Sequence, residues 1–122
     1  MAEVKDLIGE TLTSMENVSN KKIVFTTDKG KQYMLYHDQD CCESVMVEDI
    51  VGDLADLVGD PILVAEVATS SENPDGVTKE YQESFTWTFY KFATRKGYVD
   101  IRWYGESNGY YSESVDFYEM LA

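Results

Sequence analysis

The clearest alternation of apolar and polar positions lies in the C-terminal third of the chain. Across Ser84-Phe85-Thr86-Trp87-Thr88-Phe89-Tyr90-Lys91-Phe92, residues Phe85, Trp87 and Phe89 share one face of an extended strand. In Tyr98-Val99-Asp100-Ile101-Arg102-Trp103-Tyr104 the same spacing groups Val99, Ile101 and Trp103, and places Asp100, Arg102 and Tyr104 on the opposite face. The turn residues Arg95-Lys96-Gly97 between them predict a β-hairpin. A second hairpin is predicted upstream, where the β-branched and aromatic segments 22–27 and 32–37 flank Asp28-Lys29-Gly30-Lys31.

The remaining elements are weaker in pattern. The stretch from Thr11 to Val18 mixes β-branched and small residues and predicts a ragged first strand, preceded by a short segment, 4–9, that ends in glycine. Segment 44–49 predicts a further strand. In Ile50-Val51-Gly52-Asp53-Leu54-Ala55-Asp56-Leu57-Val58-Gly59 the apolar residues recur at helical spacing, which predicts a short amphipathic helix over 50–58, capped by Asp53 and closed by Gly59 and Pro61. Segment 61–68 predicts a buried strand, 69–76 a loop, 105–109 a turn, and 110–117 a last strand. The fold class expected is α+β, mainly antiparallel β in a strongly bent sheet or small open barrel, with that one short helix. At 122 residues the chain has the size of a single domain, 1–122.

Charge changes the picture more than composition does. The net charge is −13, and between Lys31 and Lys79 there is no lysine or arginine, while Glu48, Asp49, Asp53, Asp56 and Glu66 all fall there. Such a balance disfavours direct binding to a phosphate backbone, which depends on cationic side chains displacing counterions. It leaves a solvated acidic face, or an acidic surface that recognises a basic partner. No apolar run is long enough to span a bilayer and no export leader precedes the first strand, so a cytoplasmic protein is expected. Adjacent cysteines make a strained ring, and two free thiols in a reducing compartment are expected.

Candidate chemistry concentrates in His37-Asp38-Gln39-Asp40-Cys41-Cys42-Glu43, which holds both cysteines and the only histidine. A metal site there would draw on His37, Asp40, Cys41 and Glu43, with zinc as the ion. Against it, adjacent thiols on an extended chain point to opposite faces, whereas structural zinc takes cysteines separated by two or more residues. The alternative is a loop ordered by its own hydrogen bonds, with one cysteine buried as a small apolar residue. Cysteine–histidine catalysis is disfavoured, because Asp38, Asp40 and Glu43 oppose thiolate formation. A carboxylate pair for glycoside hydrolysis does not stand out among so many acids.

The second candidate is the segment Arg102-Trp103-Tyr104-Gly105-Glu106-Ser107-Asn108-Gly109-Tyr110-Tyr111-Ser112. Tyrosine, serine, glycine and asparagine together are the composition of recognition loops, since tyrosine offers large contact area at small entropic cost. The plain alternative is a tyrosine-rich turn packed on its own sheet, with Arg102 paired to one of the many acids.

With the 37–43 run, Trp87-Thr88-Phe89-Tyr90-Lys91 and the 101–112 segment in view, the chain resembles a small uncharacterised family of bacteriophage and bacterial proteins. The resemblance implies a phage or prophage accessory protein in a bacterial cytoplasm and carries over no catalytic residue. Binding is therefore favoured over catalysis. The expected partner is a host protein with a basic or nucleic-acid-binding surface, engaged through Glu48, Asp49, Asp53, Asp56, Tyr104, Asn108, Tyr110 and Tyr111, with no cofactor, no membrane and no direct nucleic-acid contact. An acidic face of this kind can imitate the charge of a duplex and inhibit a host defence protein. The alternative class is a metal- or small-ligand-binding protein centred on His37 to Glu43.

Overall fold

The computed structural model describes residues 3–39, 42–73, 84–109 and 112–120. Among the described residues, eight strands run antiparallel to their neighbours: β1 (Leu12–Val18), β2 (Lys22–Thr27), β3 (Gln32–Tyr36), β4 (Ser44–Val51), β5 (Val64–Ser70), β6 (Ser84–Thr94), β7 (Gly97–Ser107) and β8 (Asp116–Met120). They form two four-stranded sheets, in the orders β1-β2-β3-β8 and β4-β7-β6-β5. Both predicted hairpins are present. β2 and β3 pair with Phe25 opposite Tyr33, and β6 and β7 pair continuously from Ser84 opposite Ser107 to Thr94 opposite Gly97.

The two sheets pack face to face, because alternate residues of each strand must leave water. Phe25 of the first sheet meets Phe92 of the second edge-on at 5.5 Å, and also Phe117 at 5.9 Å. Around them Leu12, Ile23, Leu35, Val99, Ile101 and Trp103 are fully enclosed, each apolar side chain contributing about 1.5–3 kcal/mol relative to exposure. The structure is thus mainly β, with two open sheets rather than a closed barrel, and the expectation of an α+β domain is corrected.

That correction turns on one segment. Of the predicted helix over 50–58, Ile50 and Val51 remain in β4, and only Leu54–Leu57 coils, as a 3-10 turn. Gly52, at φ +106°, breaks the strand and lies so close to β7 that a Cβ there would sit 2.7 Å from the Tyr98 carbonyl oxygen. Gly59 also has positive φ, so too few residues remain between the two glycines to repay helix nucleation. Asp53 does cap the turn, accepting a hydrogen bond from the Ala55 N–H at 2.9 Å. A second 3-10 turn, Val4–Leu7, precedes β1.

Three other boundaries differ from expectation. β5 begins at Val64 rather than residue 61, runs through Ser70, and is largely exposed instead of buried. β7 continues through Ser107 where a turn was predicted, and the last strand is Asp116–Met120. Among the described residues no helix is long and apolar enough to cross a membrane.

Candidate functional site

Two places carry unusual side-chain arrangements. The first is where the chain passes between the sheets. The β3–β4 connection leaves the first sheet at Tyr36 and enters the second at Ser44, while the β7–β8 connection returns from Ser107 to Asp116. Register puts these ends together, with Tyr36 opposite Asp116 and Ser44 opposite Glu106.

His37 and Glu43 join the two connections. Both are buried, and His37 Nε2 lies 2.7 Å from Glu43 Oε2 while Nδ1 lies 2.7 Å from the Ser114 carbonyl oxygen. A carbonyl oxygen only accepts, so Nδ1 carries a proton. Nε2 then either donates to a carboxylate or accepts from a protonated carboxyl, and the pair is neutral overall in both cases. The Gln39 amide donates to the Glu43 main-chain oxygen at 2.6 Å and to Oε1 at 3.1 Å.

The β7–β8 connection is stitched down beyond Ser114. Glu113 accepts from Thr86 Oγ1 at 2.9 Å and from Ser107 Oγ at 2.5 Å, and the Tyr90 hydroxyl donates to the Val115 carbonyl at 3.4 Å. Gly105 makes the crossing feasible, since a Cβ there would lie 2.5 Å from the Glu113 carbonyl oxygen. Burial holds the Tyr90 phenol far above its ordinary value, with Asp116 adding to the effect.

This arrangement is a clasp. Both ring nitrogens of His37 are engaged, so metal ligation by His37 requires breaking one of the two bonds. Asp40 and Cys41, the other metal candidates, lie outside the described residues. Among the described residues no three His, Cys, Asp or Glu side chains converge on a point. Among the described residues no cysteine is free, Cys42 being disulfide-bonded where a free thiol was expected. Beside the clasp, Asp38, Asp116 and Tyr118 line a polar hollow of about 360 Å³. The Tyr118 hydroxyl donates to Asp116 Oδ2 at 3.2 Å, and its phenol is raised by burial and then by Asp116.

The second place is the outer face of the β4-β7-β6-β5 sheet. Register sets Trp87 opposite Tyr104, Phe89 opposite Arg102 and Lys91 opposite Asp100, so Phe85, Trp87 and Phe89 point away from the core that Tyr90, Phe92, Val99, Ile101 and Trp103 occupy. Trp87 is nevertheless fully enclosed. Tyr104 covers it at 4.6 Å, the Arg102 guanidinium lies over its ring at 5.2 Å, and its indole N–H donates to Asn73 Oδ1 at 3.0 Å.

Next to this cluster the outer face forms a trough of about 490 Å³. Phe89 and Ala68 line it, with carboxylates from three strands: Asp49 on β4, Asp100 on β7 and Glu66 on β5. Two cations also reach it. Arg102 is held by Glu48 at 2.8 Å and Asp49 at 3.8 Å, and the Lys91 ammonium lies 5.8 Å over the Tyr98 ring. Among the described residues Glu66 and Asp100 form no ion pair.

The expected partner-binding residues separate between these environments. Glu48 and Asp49 reach the outer face and pair with Arg102. Asp53 caps the Leu54–Leu57 turn, which also contains Asp56. Tyr104 is 8% exposed and supports Trp87 rather than presenting itself to a partner. Asn108 is exposed at the end of β7, and Tyr110 and Tyr111 lie outside the described residues.

The trough itself escaped sequence reasoning, although a signal was present. β6 is apolar on both faces, through Phe85, Trp87 and Phe89 on one and Tyr90 and Phe92 on the other. An antiparallel strand with one solvated face shows polar residues on that face, so aromatics on both mark an outer surface that is covered or engaged.

Fold and surface together define an antiparallel two-sheet β protein with a carboxylate-lined trough on one outer face. A family model described as a domain of unknown function, DUF7448, matches residues 5–117, and the chain belongs to that family. The comparisons with curated proteins and with solved structures returned no match.

Proposed function

We propose that this is a non-enzymatic, phage-type accessory protein of the bacterial cytoplasm that binds a basic or nucleic-acid-binding host protein through its acidic surface. The observation that carries this reading is the outer trough, where the carboxylates of Glu66 and Asp100, which form no ion pair among the described residues, join Asp49 beside Phe89. An arginine or lysine entering it meets charge-assisted acceptors and an aromatic face in one place.

The fold distributes the acidic stretch in a way that supports the same conclusion. Residues 43–72, free of lysine and arginine, supply β4 and β5, the two edges of the second sheet, and the turn between them. Lys91, Arg95, Lys96 and Arg102 sit on or between the central strands of this sheet and are partly neutralised there: Arg95 pairs with Asp60 at 2.7 Å and Arg102 with Glu48. The edges keep the surplus negative charge. A surface of this sign attracts basic partners over a Debye length and repels phosphate. Occupying the nucleic-acid groove of a host defence protein is the inhibitory role that fits it.

The test is affinity capture from bacterial lysate with the wild-type protein and with Glu66→Lys/Asp100→Lys, the captured proteins being identified by mass spectrometry. A basic partner held at low salt, released as salt rises and missing from the double variant is the expected result. An identical captured set for both proteins would contradict the proposal.

A further inference from the structure

We infer that β5 is a strand-addition site, and that the basic partner docks by laying an extended segment along its free edge. This rests on the basic-partner reading and adds the geometry of engagement. Each sheet has two edge strands, and three of the four edges are protected against pairing. β1 carries a register break between Leu12 and Ser14, and β4 carries one between Val47 and Asp49 and is bonded from outside, Val47 N–H to the Asn20 carbonyl at 2.7 Å. β8 has only five residues, with acids at Asp116 and Glu119.

β5 has neither a register break nor a shortened, charge-rich edge, although the Val4–Leu7 turn packs beside it. Its pairing with β6 runs unbroken from Val64 opposite Ala93 to Ser70 opposite Trp87. It contains no proline, no lysine and a single charge, Glu66, and Val67 is 51% exposed. Among the described residues no backbone group from another element bonds to the far edge of Val64–Ser70.

Hollows flank that edge on both faces of the sheet. On the inner side Val4, Val67, Tyr90 and Phe117 line one of about 460 Å³, where the Val4–Leu7 turn, β5 and the edge strand β8 of the first sheet meet, with Glu3, Lys5 and Asp116 also lining it. On the outer side lies the trough with Glu66, Ala68 and Phe89. A strand added along β5 continues the alternation of the sheet, sending successive side chains into one hollow and then the other. The apolar part of the inner hollow, formed by Val4, Val67, Tyr90 and Phe117, takes apolar side chains. The outer takes lysine or arginine beside Glu66. The occupant is therefore an extended segment of alternating apolar and basic residues. A second copy of this chain is disfavoured as occupant, since each copy brings a net charge of −13.

The experiment uses the peptide Lys-Val-Lys-Val-Lys-Val-Lys, blocked at both ends, and the same peptide N-methylated at alternate residues, titrated into isotope-labelled protein and followed by backbone amide shifts. Strand addition predicts shifts and slowed amide exchange concentrated on Val64–Ser70. It also predicts at least a 10-fold weaker affinity for the methylated peptide, whose charge is unchanged but whose hydrogen-bonding edge is blocked. Equal binding of both peptides, with shifts around Glu66, Asp100 and Phe89 only, would overturn strand addition while leaving the acidic trough as a binding site. Failure of both to bind would overturn it, as would dimerisation of the free protein through β5 in sedimentation.

Discussion

Replacing His37 by leucine tests the clasp between the two sheet connections. The substitution removes the imidazole that meets Glu43 Oε2 at 2.7 Å, leaving the Gln39 amide on Oε1, and removes the donor to the Ser114 carbonyl. The side chains of His37 and Glu43 retain only 4% and 0% of their surface, so water cannot replace the lost bond. Breaking a buried pair by removing one member costs about 3–5 kcal/mol. A domain of this length has roughly 6–18 kcal/mol in total, so the single change removes a substantial fraction. At roughly 3–6 °C per kcal/mol, the melting temperature falls by at least about 10 °C. Urea unfolding followed by the fluorescence of Trp87 and Trp103 measures the loss directly. The double variant His37→Leu/Glu43→Leu buries no unpaired charge and should recover about half of the deficit or more. A single-variant loss below about 1 kcal/mol, or strict additivity of the two single losses in the double, would refute the clasp.

Two further outcomes follow from the same region. Gly105→Ala places a Cβ 2.5 Å from the Glu113 carbonyl oxygen, and should destabilise by about 1–3 kcal/mol as the β7–β8 connection is pushed away; thermal unfolding checks this, and an unchanged midpoint would show that the connection crosses elsewhere. Burial raises the Tyr90 phenol, so the folded chain keeps a proton that the unfolded chain loses. Stability is then at its full value below the ordinary phenol value of about 10 and falls as pH rises above it. Tyr90→Phe should flatten that alkaline loss while changing stability at neutral pH by less than about 1 kcal/mol, since its hydrogen bond is long at 3.4 Å.

Much of the architecture was legible because alternation is a local property. The pairs β2–β3 and β6–β7 follow from period-two patterns and short turns, and Arg102 emerges opposite Val99, Ile101 and Trp103 as that spacing dictates. Leu54, Leu57 and Val58 misled, because helical spacing over one turn is also the spacing of a 3-10 turn, and the backbone constraint at Gly52 comes from β7, which is distant in sequence. Phe85, Trp87 and Phe89 share a face as expected, but alternation does not say which of two apolar faces is the core. Tyr90 and Phe92 prevail through Phe25 and Phe117 of the other sheet, contacts that no window along β6 contains.

The candidate sites show the same limit. The 37–43 run is visible in the sequence as a cluster of polar groups, and ordering by its own hydrogen bonds is one of the readings that its residues support. Its connection to Ser114 depends on two sheet crossings ending side by side. Glu66 and Asp100, which lie on different strands, become neighbours of one trough only through the register of β5, β6 and β7.

The most direct test of the central claim is the affinity of the captured basic partner for wild-type and Glu66→Lys/Asp100→Lys protein, measured by calorimetry at several salt concentrations. Binding that weakens as salt rises, and falls by at least 10-fold in the double variant while the fold is retained, is predicted. Equal affinities, independent of salt, would contradict binding through the acidic outer face.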